Sequence, residues 1–106
     1  MGIENSAHAK WEFLATASTG ALKAVNMRGF SERFTGYIET GPGCTATARW
    51  ESRAGSSAGP YALVGSSTDL TTSAMSIQQF AGPLEWVRPY CAAKTTGTLT
   101  AELFGN

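Results

Sequence analysis

Few side chains in this sequence could do chemistry, and they stand apart. His8 is the single imidazole, Cys44 and Cys91 are the thiols, and six of the eight carboxylates, Glu12, Glu39, Glu51, Asp69, Glu85 and Glu102, are separated by long small and polar stretches. A nucleophilic triad needs a base within hydrogen-bond reach of a serine or cysteine, and a third group to orient that base. One histidine on a polar N-terminal stretch encodes no such geometry. A zinc site needs three or four Cys, His or carboxylate ligands, and His8, Cys44 and Cys91 make no recognised spacing. Paired carboxylates could hydrolyse glycosides, and the sequence leaves that chemistry open, although these mostly fall where strand alternation turns side chains to solvent. No glycine loop precedes a helix that could cradle a phosphate. The expectation is a protein with no catalytic site, no metal and no cofactor, and not an enzyme.

The elements that must position these groups are strands. Between Leu84 and Asn106, Val87, Cys91 and Ala93 share one parity, and so do Leu99, Ala101 and Leu103, while Thr98, Thr100 and Glu102 take the other face. That period of two buries one side of a strand and wets the other. Lys94 to Gly97 supplies a turn, with Gly97 free to take a positive φ, so the pair reads as a terminal β-hairpin. Pro89 cannot donate to a ladder and places its strand at an edge or a bulge. The best single strand begins at Cys44, with Cys44, Ala46, Ala48 and Trp50 on one face and Thr45, Thr47, Arg49 and Glu51 on the other.

Further strands are expected at Lys10 to Thr16, Ala21 to Arg28, Tyr37 to Thr40, Pro60 to Gly65 and Ala74 to Phe80. Between them lie a loop at Gly29 to Gly36, the turn Gly41-Pro42-Gly43, a glycine-rich loop at Ser52 to Gly59 and a serine-threonine linker at Ser66 to Ser73. Seven or eight short strands at intervals of about ten residues predict an all-β antiparallel sandwich of jelly-roll type. Residues 1–9 read as an N-terminal arm and 10–106 as one domain. A chain of 106 residues can hide about two-thirds of its unfolded surface without staples.

Charge and composition narrow the partners. Eight basic and eight acidic residues cancel and are scattered singly, so no basic stripe tracks nucleic acid. No apolar run approaches the roughly 18 residues of a membrane span, and the N-terminus lacks the apolar stretch of a signal peptide. The chain is expected to be made and used without secretion. Gly2 and Ser6 fit the loose myristoylation pattern, but no polybasic second signal follows. Cys44 and Cys91 both fall on inward positions; a buried disulfide is conceivable if their strands face each other, and free buried thiols are favoured in a reducing compartment.

The order T-A-T-A-R-W-E-S-R-A-G-S-S-A-G-P-Y-A-L-V, a Ser/Thr linker, and then F-A-G-P-L-E-W-V-R-P-Y-C-A-A-K-T-T-G-T-L-T-A-E-L-F-G-N resembles small β-sandwich structural proteins of tailed bacteriophages. In those a "YVR" strand is followed by a glycine turn and a closing T-x-T-x-x-L-x-G strand. Trp86-Val87-Arg88 and Thr98 to Gly105 occupy those places, and the resemblance covers about 60 of the 106 residues. The pattern is also similar to discoidin-like sandwiches, whose S-x-D-G-x-x-W recognition loop is matched in place by Ser52 to Pro60 without its aspartate or tryptophan.

The phage resemblance implies a head decoration, or cement, protein located in the virion after synthesis in the host cytoplasm. Its partner would be the major capsid protein or another virion protein, and it would form a homo-oligomer, a trimer first among them. A head-tail or tail component and a glycan- or receptor-binding module are the alternatives. Residues 1–9 are expected to lie across a neighbouring subunit. The candidate protein-interaction residues are Gly2, Ile3, Glu4, Asn5 and His8, with Trp11, Phe30 and Phe34.

Overall fold

The computed structural model describes residues 7–13, 16, 19–27 and 33–105. It is all-β: β1 (Ala7–Phe13), β2 (Gly20–Ala21), β3 (Val25–Asn26), β4 (Arg33–Thr40), β5 (Ala46–Arg53), β6 (Ala62–Leu70), β7 (Met75–Ala81), β8 (Trp86–Lys94) and β9 (Leu99–Gly105). One antiparallel sheet runs β1-β9-β4-β7, and the other runs β2-β8-β5-β6 with β3 also on β8. β2 and β3 both line up along β8 and act as one interrupted strand. The result is two four-stranded layers in jelly-roll order.

The expected terminal hairpin is not formed. β8 and β9 belong to different sheets, β8 pairing with β5 and β9 with β1 and β4, so residues 95–98 arch between the layers. Gly97 does take the positive φ expected of it, +118°; its Cβ position would fall 2.8 Å from the Cβ of Cys44. β8 is also not an edge strand. The carbonyl of Pro89 accepts from the Leu22 amide, and N and O of one strand residue point the same way. The donor that proline lacks therefore faces the gap between β2 and β3, not β5.

Alternation locates the core well. Cys44, Ala46, Ala48 and Trp50 are buried from the β5 side, and Leu99, Ala101 and Leu103 from β9. Trp50 lies at the centre, edge-on to Trp11 at 5.5 Å and tilted against Phe80 at 6.5 Å, while Phe34 stacks on Phe80 at 6.0 Å. Large rings fit between the layers because small residues face them: Gly36 lies under the Trp50 indole and Gly105 against Phe34 and Met27. Packing at crystal-like density leaves no spare volume at such contacts.

Other elements also differ from the sequence reading: the strand expected at Ala21 to Arg28 is two short pieces, and β5 runs Ala46–Arg53. β1 starts at Ala7, earlier than Lys10. β4 takes in Arg33 to Gly36, read as loop, because Phe34 and Gly36 continue the inward parity of Ile38 and Thr40. β6 runs on through Ser66 to Leu70, read as linker. Its polar stretch is held by the Gln78 amide, which donates to the Ser66 carbonyl at 2.7 Å and accepts from the Ser66 amide at 3.2 Å, as a peptide group would. In β8 a register shift between Cys91 and Ala93 reverses the parity, leaving Ala93 exposed and Lys94 buried.

Both cysteines are free and fully buried. Burial pushes the Cys91 thiol above its ordinary 9.0, against smaller opposing effects of the Ala93 backbone and the Lys94 ammonium. The unfolded thiol therefore loses its proton first as pH rises. Above about pH 9 the folded state binds more protons, so stability falls with pH, and below that this contribution is fully present. Melting curves at stepped pH should show an alkaline fall that is shallower in Cys91→Ala; equal slopes would contradict this. Alkylation of the native protein should leave both thiols unmodified, and alkylation after unfolding should modify both.

Candidate interaction faces

On the outer face of the β8 sheet, one carboxylate organises two cations. Glu51 has the outward parity of β5 yet is only 3% exposed, because Arg49 and Arg88 close over it. Arg49 Nε donates to Oε2 at 2.9 Å with Nη2 at 2.8 Å. Arg88 approaches Oε1 in the same way, both nitrogens at 2.9 Å. Each guanidinium also lies over a ring, Arg49 on Tyr90 at 4.1 Å and Arg88 on Tyr61 at 3.7 Å. Stacking and pairing together fix both side chains before any partner arrives.

Around this cluster, the Trp86 indole donates to the Gly55 carbonyl at 3.1 Å. Arg53 braces the 54–60 loop through the Ser56 and Pro60 carbonyls, both at 3.1 Å. Leu63, cross-strand from Glu51, is half exposed. A groove of about 370 Å³ runs between Lys23, Ser57, Tyr61, Trp86 and Arg88. Pre-ordered Arg, Tyr and Trp side chains are the types that dominate protein interfaces energetically.

The outer face of the β1 sheet is apolar on one side and acidic at one end. Ile77, Met75 and Phe104 are 59%, 51% and 42% exposed. Tyr37 pairs in register with Ile77 and meets Phe104 edge-on at 5.7 Å. His8 stacks flat on Phe104 at 4.4 Å and its Nε2 lies 2.8 Å from Glu102 Oε2. At the end of this face Glu39, Thr100 and Glu12 stand side by side on neighbouring strands and line a groove of about 480 Å³ with Thr98 and Ser73. This is where two of the sequence's carboxylates do come together. They stand on an open sheet, suited to meeting a cationic side chain.

Of the expected interaction residues, His8 lies on this face. Trp11 and Phe34 do not: Trp11 is 8% exposed with its indole donating to the Lys23 carbonyl at 2.7 Å, and Phe34 is fully buried. Both side chains are used by this chain's own core. Gly2, Ile3, Glu4, Asn5 and Phe30 lie outside the described residues. The sequence reading missed Arg49, Glu51, Arg88, Tyr61 and Tyr90 as a unit. Its local signal was the Arg49-x-Glu51 spacing, which puts both on one strand face. Among the described residues no group of three or more His, Cys, Asp or Glu could hold a metal ion.

No protein-family model matches the sequence, and no curated protein matches it. Solved structures are similar in fold. A protein of the Bacillus endospore appendages, described as disulfide-linked pili, aligns with a TM-score of 0.51 at 13% identity, over 95% of this chain and 86% of that one. YomS, derived from the SPBc2 prophage, aligns at 0.54 and 19% identity over 93% and 94%. A chain of infectious bursal disease virus, Gx strain, aligns at 0.42 and 11% identity, over 92% of this chain and 29% of that one. The first two likenesses place the chain in the class of small two-sheet β-sandwiches, as a matter of fold.

Proposed function

We propose that the chain is a virion structural protein, a head decoration subunit that docks on the outside of an assembled capsid lattice. The observation that carries this reading is the contrast between interior and exterior. The inside of the sandwich is filled by packing, while both outer faces carry preordered docking chemistry: the Arg49-Glu51-Arg88 cluster with its tyrosines on one, and the Phe104-Tyr37-Ile77 surface on the other. The resemblance of its second half to phage sandwich proteins supports the reading, and a prophage-derived protein with the same fold is compatible with it.

The mechanism is linkage. A subunit that binds only the expanded shell stabilises it by RT ln(1 + [L]/Kd) per site, about 2.7 kcal/mol at a hundredfold excess over Kd, and the effect repeats over the lattice. Heads stripped of the chain should release DNA at a lower temperature and recover on adding purified chain. No recovery at saturating chain would contradict the proposal. A glycan- or receptor-binding role has one observation in its favour, the groove between Tyr61 and Trp86. The Arg88 guanidinium already covers the Tyr61 ring, so a sugar stacking there would first have to displace it.

A further inference from the structure

The zero net charge of the chain conceals a polarity across the sandwich. Among the described residues, the outer face of the β1 sheet presents Glu12, Glu39 and Glu102 against Lys10 and Arg33. The outer face of the β8 sheet presents Arg49, Arg53 and Arg88 against Glu51 and Asp69. The exposed Lys23 joins the basic side, at the groove beside Arg88, and Glu85, which accepts from the Gly55 amide, adds a carboxylate at the same loop. Half-exposed aliphatic side chains occur on both faces, Met75 and Ile77 on the first and Leu63 on the second.

The strands of the two layers also overlie one another. β7 lies over β6 and β4 over β5, Gly36 lies on the Trp50 ring, and the Trp11 indole reaches Lys23 between β2 and β3. A second copy moved along the sheet normal thus brings its β7 onto the first copy's β6, with Met75 and Ile77 above the 67–69 stretch, because Ser76 and Gln78 meet Thr68 and Ser66 across the sandwich; Leu63 lies further along the same strand. Its β4 and β9 arrive over β5 and β8, bringing Tyr37 and Glu102 towards Arg49 and Tyr90. Packed sheets absorb their twist by crossing at about 30°. Pairing like faces would oppose arginine to arginine or glutamate to glutamate, which is costly in a desolvated contact.

We infer that copies of this chain associate head to tail, the acidic-apolar face of the β1 sheet of one docking on the basic-aromatic face of the β8 sheet of the next. Such an interface is heterologous, so it propagates into a stack or closes into a ring. The inference deepens the proposed function and rests on its reading of these faces as docking surfaces.

Sedimentation of the purified full chain tests it. The wild type should grow beyond dimers as concentration rises, and added salt should weaken that growth. Ile77→Lys spoils one face and Leu63→Lys the other, both at exposed positions, and each variant alone should associate at least tenfold more weakly. An equal mixture should form dimers and nothing larger, since each variant keeps one intact face. A wild type that stays monomeric or stops at dimers, or a mixture that stays monomeric while its members fold, would overturn the inference. If a thermal melt shows that Ile77→Lys is unfolded, Met75→Lys replaces it. A monomeric chain that still restores stripped heads would sink the stack and leave the decoration role standing; stacking without any effect on heads would do the reverse.

Discussion

Gly36→Ala should destabilise the protein by about 2–3 kcal/mol, as overpacking a filled core does, which for a chain of this size lowers Tm by roughly 10 °C or more. Alanine in place of glycine ordinarily stabilises by about 0.4–1 kcal/mol through the unfolded chain, so the clash decides the sign. A Cβ on Gly36 would lie 2.6 Å from Cε2 and 3.0 Å from Cζ2 of Trp50, and closer still to Nε1. Trp50 is 1% exposed and wedged against Trp11 and Phe80, so the ring has nowhere to go. Urea denaturation of a double-mutant cycle checks the cause. In a Trp50→Leu background the cost of Gly36→Ala should shrink below 1 kcal/mol. An unchanged cost there would place the effect in the backbone.

Lys94→Met should cost about 2–4 kcal/mol, the range expected when hydrogen bonds to a charged group are removed and their acceptors left behind. Lys94 is 8% exposed, and its ammonium donates to the carbonyls of Thr16 at 2.8 Å, Thr95 at 3.1 Å and Gly97 at 2.9 Å. All three of its protons are used, and they tie the arch between β8 and β9 to the connection after β1. Methionine keeps most of the stem and removes the charge. Lys94→Arg should not rescue, because a planar fork cannot point at three acceptors spread around a compact ammonium. Denaturant midpoints for the two variants measure this, and hydrogen exchange should show the loss first in residues 94–98. A Lys94→Met protein as stable as the wild type would contradict it.

These two residues also show what the sequence could and could not tell. Alternation correctly assigned Cys44 to Trp50 and Leu99 to Leu103 to the interior, since parity is a local property. It failed at Lys94, where the register shift after Cys91 swaps inside for outside; nothing in A-A-K marks that shift. Parity also cannot name a strand's neighbour. The stretch from Lys94 to Thr98 would serve a hairpin or an arch equally well; in the fold β8 pairs with β5 and β9 with β4 and β1, so it is an arch. Gly36 was read as the end of a loop because its reason, an indole arriving from the other sheet, lies in a residue 14 positions away. The polar Ser66 to Asp69 strand was hidden for a similar reason, its support coming from Gln78.

The candidate faces were legible in parts. Glu102 and the other solvent-facing carboxylates follow from alternation alone, and Arg49 with Glu51 from their spacing, whereas His8, read on the N-terminal arm, gains its place only because β1 starts at Ala7. That Arg88 reaches the same carboxylate from β8, and that Tyr61 and Tyr90 back the two guanidiniums, depends on which strands flank β5. Trp11, expected on a strand, and Phe34, expected in a loop, both pack inside, Trp11 against Trp50 and Phe34 against Phe80.

Mass spectrometry of purified particles, with heads and tails separated, tests the decoration role most directly. The chain should co-purify with the heads in many copies, at a fixed ratio to the major capsid protein. Its absence from the particles, or its confinement to the tail fraction, would contradict that role.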